Sequence, residues 1–361
     1  MIKREKYLKK IRDFYHVASL VKILCGLRRS GKSVILEQII DEMKESGILD
    51  DHIIYINFEL MEYDNIKTAR DLNDYVKSFV KDKEIYYVFL DEVQRVDNFE
   101  VAVNSLRTSN QFSIFITGSN SKMTFLELST DLSGRYVSFR INPLSFRETV
   151  ELTGTKKEKY MDLLLDIFEW GTLPQRFTFD NLDSRKYYIS DVYDSILLKD
   201  VVDRLGITDI TSFNKILQYI LETETRKFSV TNVLSYLEKN NQGIATDTLY
   251  KYVEALCSTF IMNRVYRYDI YNELVNKGYD VYIGKAKTSE IDFIASNDKG
   301  LKYIQVCYSL KDENTLRREL EALEEIDDSY PKYVISIDKE DYGSNGIKHL
   351  NIFDFLMNDD F

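Results

Sequence analysis

Short apolar, β-branched stretches recur in the first third of the chain, at Leu20 to Cys25, Ile53 to Asn57, Tyr86 to Leu90 and Phe112 to Thr117. The segments between them carry apolar residues at helical spacing, as in Val34 to Met43. Strands unbroken by polar residues belong where helices cover both faces of a parallel sheet. The rhythm therefore predicts an α/β domain whose ligand site lies at the carboxyl ends of its strands. From Ser145 to Arg204 the pattern turns helical, broken at Trp170-Gly171-Thr172-Leu173-Pro174, and predicts a lid or connector. Residues 211 to 268 predict one helix through Ile216 and Ile220, a second through Val233, Leu234 and Leu237, and a turn at Asn240 to Gly243. A third helix opens at Thr246 and carries Leu249, Val253, Leu256 and Phe260, and Phe260 to Tyr268 suits a two-stranded wing, which together make a winged-helix pattern. The tail returns to strands at Val281 to Gly284, Glu290 to Ala295, Tyr303 to Tyr308 and Lys332 to Ile337, with a helix from Asp312 to Ile326.

The first strand runs directly into Gly26-Leu27-Arg28-Arg29-Ser30-Gly31-Lys32-Ser33, which meets G-x-x-x-x-G-K-[ST] at every fixed position. A helix opening at Val34 leaves the loop, so the motif has the strand-loop-helix setting that its chemistry needs. Glycines let successive backbone N–H groups turn toward phosphates, the helix amino terminus adds partial positive charge, Lys32 reaches the β and γ oxygens, and the Ser33 hydroxyl faces Mg²⁺. The strand Tyr86 to Leu90 ends in Asp91-Glu92, where Asp91 suits the Mg²⁺ hydration shell and Glu92 suits the base that polarises an attacking water. Ser119 and Asn120, after the next strand, read equally as phosphate sensors or as a turn bonded to its own backbone. Arg135, before the strand Val137 to Ile141, reads as an arginine finger to its own or a neighbouring subunit, or as a plain surface arginine.

At 361 residues the chain exceeds a single core, and 44% hydrophobic with 30% charged residues excludes wholesale disorder. A net charge of −11 excludes a surface given over to polyanions and leaves only local nucleic-acid contact. The densest basic stretch, Lys3, Arg4, Lys6, Lys9, Lys10 and Arg12, reads as a solvated helix face ahead of a contact surface. Cys25, Cys257 and Cys307 are isolated in apolar segments and read as thiols in a reducing compartment. His16, His52 and His349 are too scattered for a histidine metal site or a Ser/His/Asp triad. No apolar run nears the ~18 residues of a membrane span, and MIKREKYLKK lacks a signal-peptide core, so a cytoplasmic protein without membrane contact is expected.

GLRRSGKS, INFE (Ile56 to Glu59), FLDEVQ (Phe89 to Gln94), ITGSNS (Ile116 to Ser121), LSGRY and NPLSFRE (Asn142 to Glu148) together resemble one family. GTLPQ (Gly171 to Gln175), LLKDVVDR (Leu197 to Arg204) and EIDFIAS (Glu290 to Ser296) extend the resemblance over nearly the whole chain. It is similar to the prokaryotic AAA-type ATPases whose carboxyl-terminal half is catalogued as domain of unknown function 4143. The resemblance implies an AAA+ type P-loop domain over residues 1–150, a helical lid over 151–208, a winged-helix-like domain over 209–268 and a small α/β restriction-nuclease-like domain over 269–361.

In the nuclease pattern an Asp on the second strand and Glu-x-Lys on the third converge on a metal. Period-2 geometry puts Glu290 and Asp292 on one face, but Gln305-Val306-Cys307 stands where Glu-x-Lys belongs, with Lys302 as a substitute lysine. The implied helix from Arg267 to Leu274, with Glu273 as its acid, follows the wing directly where relatives insert several tens of residues, so this domain reads as degenerate or truncated. The presumed recognition helix sets Lys251 against Asp247 and Glu254, too little charge for phosphates, while Arg226, Lys227, Arg264 and Arg267 remain backbone-contact candidates. The expected function is Mg²⁺-dependent ATP hydrolysis that repositions the later modules, in a homo-oligomer or with a DNA or protein client. An ATP-loaded scaffold with little turnover and an ATP-gated DNA nuclease are the rivals.

Overall fold

The computed structural model describes residues 2–118, 132, 134–195, 202, 207, 209–222, 230–239, 244–258, 268–286, 289–298, 300–358 and 361. The amino-terminal part runs α1 (Glu5–Ile11), β1 (Val21–Cys25), α2 (Lys32–Glu45), β2 (Ile53–Asn57), α3 (Ala69–Lys77), β3 (Tyr86–Asp91), α4 (Phe99–Thr108), β4 (Phe112–Gly118) and β5 (Tyr136–Arg140). These five strands form one fully parallel sheet in the order β2-β3-β4-β1-β5. Alternation along each strand decides which helix layer a side chain meets. Ile23, Ile54, Ile56, Val88, Leu90, Ile114 and Ile116 pack with Leu72 and Val76 of α3 and Ala102, Val103 and Leu106 of α4. Leu24, Phe89 and Phe115 face the other way, onto Leu8 and Ile11 of α1 and Ile35, Leu36 and Ile39 of α2.

Lys22 is the polar exception inside β1, fully buried, with Nζ donating to Val17 O at 2.9 Å, Leu20 O at 3.1 Å and Ser113 Oγ at 2.8 Å. Burial draws its pKa down to about 7. Its three bonds fasten the segment before β1 to β4.

The chain continues through α5 (Phe146–Thr153), α6 (Tyr160–Trp170), α7 (Leu182–Ser195), α8 (Ile210–Glu222), α9 (Val230–Lys239) and α10 (Thr246–Ser258). The NPLSFRE motif is the start of α5: Ser145 N–H donates to Glu148 Oε2 at 2.8 Å and Ser145 Oγ accepts from Glu148 N–H at 3.2 Å, a reciprocal cap. Helices α8, α9 and α10 lie where the periodicity puts them, whereas the turn at 240–243 and the wing over 260–267 fall outside the described residues. The tail adds α11 (Tyr268–Asn276), β6 (Asp280–Lys285), β7 (Glu290–Asn297), β8 (Gly300–Val306), α12 (Glu313–Glu324), β9 (Lys332–Ser336), β10 (Ile347–Asn351) and α13 (Ile352–Met357). Its sheet has the order β10-β9-β8-β7-β6, antiparallel through β6, β7 and β8 and parallel through β8, β9 and β10.

The chain divides into two compact units that interleave in sequence. One comprises residues 1–144, 170–210 and 250–263, the other 145–169, 211–249 and 264–361. Among the described residues no helix is long and apolar enough to cross a membrane.

Candidate functional site

The loop between β1 and α2 approaches β5 so closely that a β-carbon on Gly26, at φ +147°, would sit 2.1 Å from Ile141 O. Gly31, at φ +96°, caps α2, whose first turn carries Lys32, Ser33 and Val34. Lys32 is buried, with Nζ donating to the loop's own carbonyls, Gly26 O at 3.3 Å and Leu27 O at 3.1 Å. Burial lowers its pKa, and the charges of Glu92 and Asp91 oppose that shift while Arg28 adds to it. Ser30 Oγ is buried with no hydrogen-bond partner among the described residues, so the loop wall holds a hydroxyl with unspent capacity. The variable positions are used for packing: Leu27 joins Leu173, Tyr188 and Val192, and the Arg29 guanidinium, on a left-handed backbone at φ 63°, lies 5.2 Å from the Tyr188 ring.

Because β4 lies between β1 and β3, the residue near its end stands between the loop and the acids. That residue is Thr117, whose hydroxyl donates to Asp91 Oδ1 and accepts from Glu92 N–H at 3.0 Å. Asp91 is buried at the end of β3 and its Oδ2 accepts from Tyr55 OH at 3.1 Å. Burial and then Asp91 push the Tyr55 phenol well above its ordinary range, which keeps it a donor. Glu92 takes the left-handed conformation, φ 55° and ψ 44°, unusual for a side chain of its size, and its carboxylate accepts from Gln94 Nε2. Thr117 and Tyr55 went unread as site residues. Their signal is a hydroxyl at or near the end of an apolar strand.

Each Asp91 oxygen accepts one bond and keeps acceptor capacity for a second partner. Among the described residues no group of three or more His, Cys, Asp or Glu could hold a metal unaided. This donor set fits Mg²⁺, a hard cation ordinarily held by one or two protein oxygens with phosphates and water, and Asp91 and Ser33 are the residues that could hold it.

Not every expected site residue converges here. The Arg135 carbonyl accepts from Val21 N–H at 3.0 Å and Arg135 precedes Tyr136, which pairs with Val21, so it lies at the amino-terminal ends of β1 and β5. Five residues of strand, roughly 15 Å, separate it from the start of the loop, too far for a cis finger. Ser119 and Asn120 lie outside the described residues. The basic stretch is no solvated face throughout: Lys3 and Arg12 pair with Glu42 of α2 at 2.7 Å, and Arg4 is buried.

In the second sheet the pairing of β6 with β7 slips between Tyr282 and Gly284, leaving an extra residue in β7. Ile291 and Ile294, three apart, consequently share a face and both crowd Gly284, so strict period 2 fails at Asp292. Lys302 does not substitute for the missing nuclease lysine. It stands three places along β8 from Gln305, on the opposite parity, and its Nζ donates to Tyr279 OH at 2.7 Å over the Phe361 ring. Glu273 is buried in an ion pair with Lys277 at 3.1 Å.

Residues 18–150 match the family described as an AAA domain, and residues 158–280 match a domain of unknown function, DUF8612, a different assignment from the DUF4143 that the resemblance implied. An uncharacterized protein of Haemophilus influenzae is 30% identical over 400 aligned residues, taking in 99% of each chain. An uncharacterized protein of Methanocaldococcus jannaschii is 26% identical over 370 residues, 89% of this chain and 82% of its own. A solved Walker-type ATPase of Pyrococcus abyssi shares the fold, with a TM-score of 0.50 over 72% of this chain and 90% of that one, at 14% identity.

Proposed function

We propose, on the premise that the chain belongs to one family with the uncharacterized Haemophilus influenzae protein and carries an AAA domain over residues 18–150, that it binds ATP with Mg²⁺ and hydrolyses it. The observation that carries this reading is the burial of Lys32 within the field of Asp91 and Glu92, a cation after β1 facing two acids at the carboxyl end of β3. Lys32 and the amides of Gly26 to Val34 neutralise the phosphates, Ser33 and Asp91 hold the metal, and Glu92 takes the proton of the attacking water. Mg²⁺ supplies charge neutralisation on the phosphate oxygens. Arg135 serves the site of a neighbouring subunit in a homo-oligomer, since its own strand carries it away from the loop.

In this reading residues 1–150 are the ATPase, 151–208 a lid, 209–268 a winged-helix module and 269–361 a nuclease-like module without nuclease chemistry. Nucleotide state repositions the latter two toward a DNA or protein client in the cytoplasm. A fluorescent ATP analogue and a phosphate-release assay test it: the parent should bind and turn over, and Lys32→Ala should lose both. No binding by the parent, or an indifferent Lys32→Ala, sinks the proposal.

A second reading, a nucleotide clamp with little turnover, is favoured by the bond from Gln94 Nε2 to the Glu92 carboxylate, which occupies the base. Gln94→Ala separates the two. A rise in phosphate release supports the clamp, and no rise supports the hydrolase.

A further inference from the structure

Arg4 is a basic residue that the proposed reaction leaves without a task, yet it is among the most buried charged side chains, at 3% exposure. It stands just before α1, and its carbonyl accepts from Tyr7 N–H at 2.9 Å and Leu8 N–H at 3.2 Å. Its backbone N–H donates to Gln38 Oε1 on α2 at 2.9 Å, and Gln38 Nε2 returns a bond to Ile2 O at 2.8 Å. The segment is thus strapped to the helix that the phosphate loop opens into. The guanidinium then forks. Nη1 donates to Ser30 O in the loop at 3.0 Å, and Nη2 donates to Asn142 O at 3.1 Å beyond the end of β5.

The bond to Ser30 O has a consequence one atom further on. A trans peptide is planar, so its carbonyl and the following N–H point in opposite directions. Fixing Ser30 O toward Arg4 therefore fixes Gly31 N–H away from it. Gly31 is the residue at which this matters, because a glycine at φ +96° has no β-carbon to hold its peptide plane. A β-carbon there would lie 3.5 Å from Arg4 Nη1, so the arginine stands directly behind the glycine.

We infer that Arg4 is a positioning residue for nucleotide binding: by clamping Ser30 O between the amino-terminal strap and the β5 exit, it holds the Gly31 amide toward the phosphates. Arg4 touches no reacting atom. It sets the loop's geometry before nucleotide arrives, so its removal raises Kd and KM for Mg·ATP more than it lowers kcat. The inference rests on the ATP-binding reading above.

The test uses the full chain, with Kd for a fluorescent ATP analogue and Mg²⁺ measured at a temperature where circular dichroism shows each protein folded. Arg4→Met should weaken binding about tenfold to a hundredfold, the range for loss of a charge-assisted hydrogen bond, and raise KM in step with a smaller change in kcat. Arg4→Lys keeps the charge but loses the fork, and should fall between Arg4→Met and the parent. It carries the test alone should Arg4→Met not fold. A parent-like Kd in the folded variants, whatever their melting temperature, overturns the inference, as does a fall in kcat at unchanged KM. A parent that fails to bind nucleotide at all, indistinguishable from Lys32→Ala, instead removes the ATP reading on which the inference stands.

Discussion

At the end of β3, Asp91 and Glu92 share Thr117 and face the buried ammonium of Lys32, whose own bonds go to two neutral carbonyls. In the second sheet, Asp292 Oδ2 accepts from Val306 N–H at 2.8 Å, and Asp292 N–H donates to Gln305 Oε1 at 2.7 Å. The amide of Gln305 is used at both ends, since its Nε2 reaches Glu290 O at 3.3 Å and Glu319 Oε2 at 3.2 Å, while Arg318 pairs with Glu319 at 2.6 Å. Both corners contain acids at strand positions. In the first, a cation is held by two neutral carbonyls, the weak acceptors that an anionic phosphate would outcompete under the proposed function. In the second, the polar groups are matched to one another. Acids at a strand end predict chemistry only when something of opposite charge is left facing them.

The largest expected effect tests the first corner. Glu92→Gln should lower kcat for phosphate release about 10²- to 10³-fold with KM for ATP within about threefold, since only proton transfer is removed. Unchanged release would make Glu92 no base at all.

Next comes the second corner, where Gln305→Glu restores the acid of the nuclease pattern. A new carboxylate in contact with buried Glu319 should destabilise the fold by about 3 kcal/mol in urea titrations, with no recovery in millimolar Mn²⁺. Recovery on adding the cation would show a latent metal site and break the comparison.

Thr117→Val should follow, leaving Asp91 Oδ1 and Glu92 N–H each short of a partner. A loss of about 2 kcal/mol in stability and about tenfold in kcat/KM is expected, read by denaturant unfolding and steady-state kinetics.

The smallest effect is one of pH. Bonds from Arg12, then Lys3 and Tyr15, hold the Glu42 carboxyl at about 2, below its ordinary 4.5. A lowered carboxylate pKa means the folded state binds its proton less readily than the unfolded chain. The stabilisation is therefore complete above about pH 4.5 and is lost as pH falls toward 2. Glu42→Gln should flatten that limb of the stability profile by about 1 kcal/mol after solvent screening, and an unchanged slope would deny Glu42 this role.

Much of the first corner was legible because its signals are local. The apolar runs gave β1 to β4 their places, and a loop of eight contiguous residues gave Lys32 and Ser33 theirs. Arg4 was not legible, since its partners are carbonyls 26 and 138 residues away, and no pattern of side chains marks a backbone oxygen. The irregularity of β7 around Asp292 was not legible either, because period 2 carries no sign of an inserted residue. The trace of the bulge is Gly284, on the opposite strand. The interleaving of the two compact units is equally invisible, because the crossings at 210–211 and 249–250 are made within segments that read simply as helix.

Gly26 holds a lesson about how such sequences can diverge. A β-carbon there meets the carbonyl of Ile141, so packing between the loop and the exit of β5 excludes every larger residue whether or not nucleotide is ever bound. In a paralogue whose activity had lapsed, positions 32 and 92 could drift while position 26 stayed glycine. The eight-residue signature therefore mixes one architectural letter with several chemical ones. A copy that keeps the glycine but has lost the lysine and the second acid would be the fossil of an ATPase on an intact scaffold.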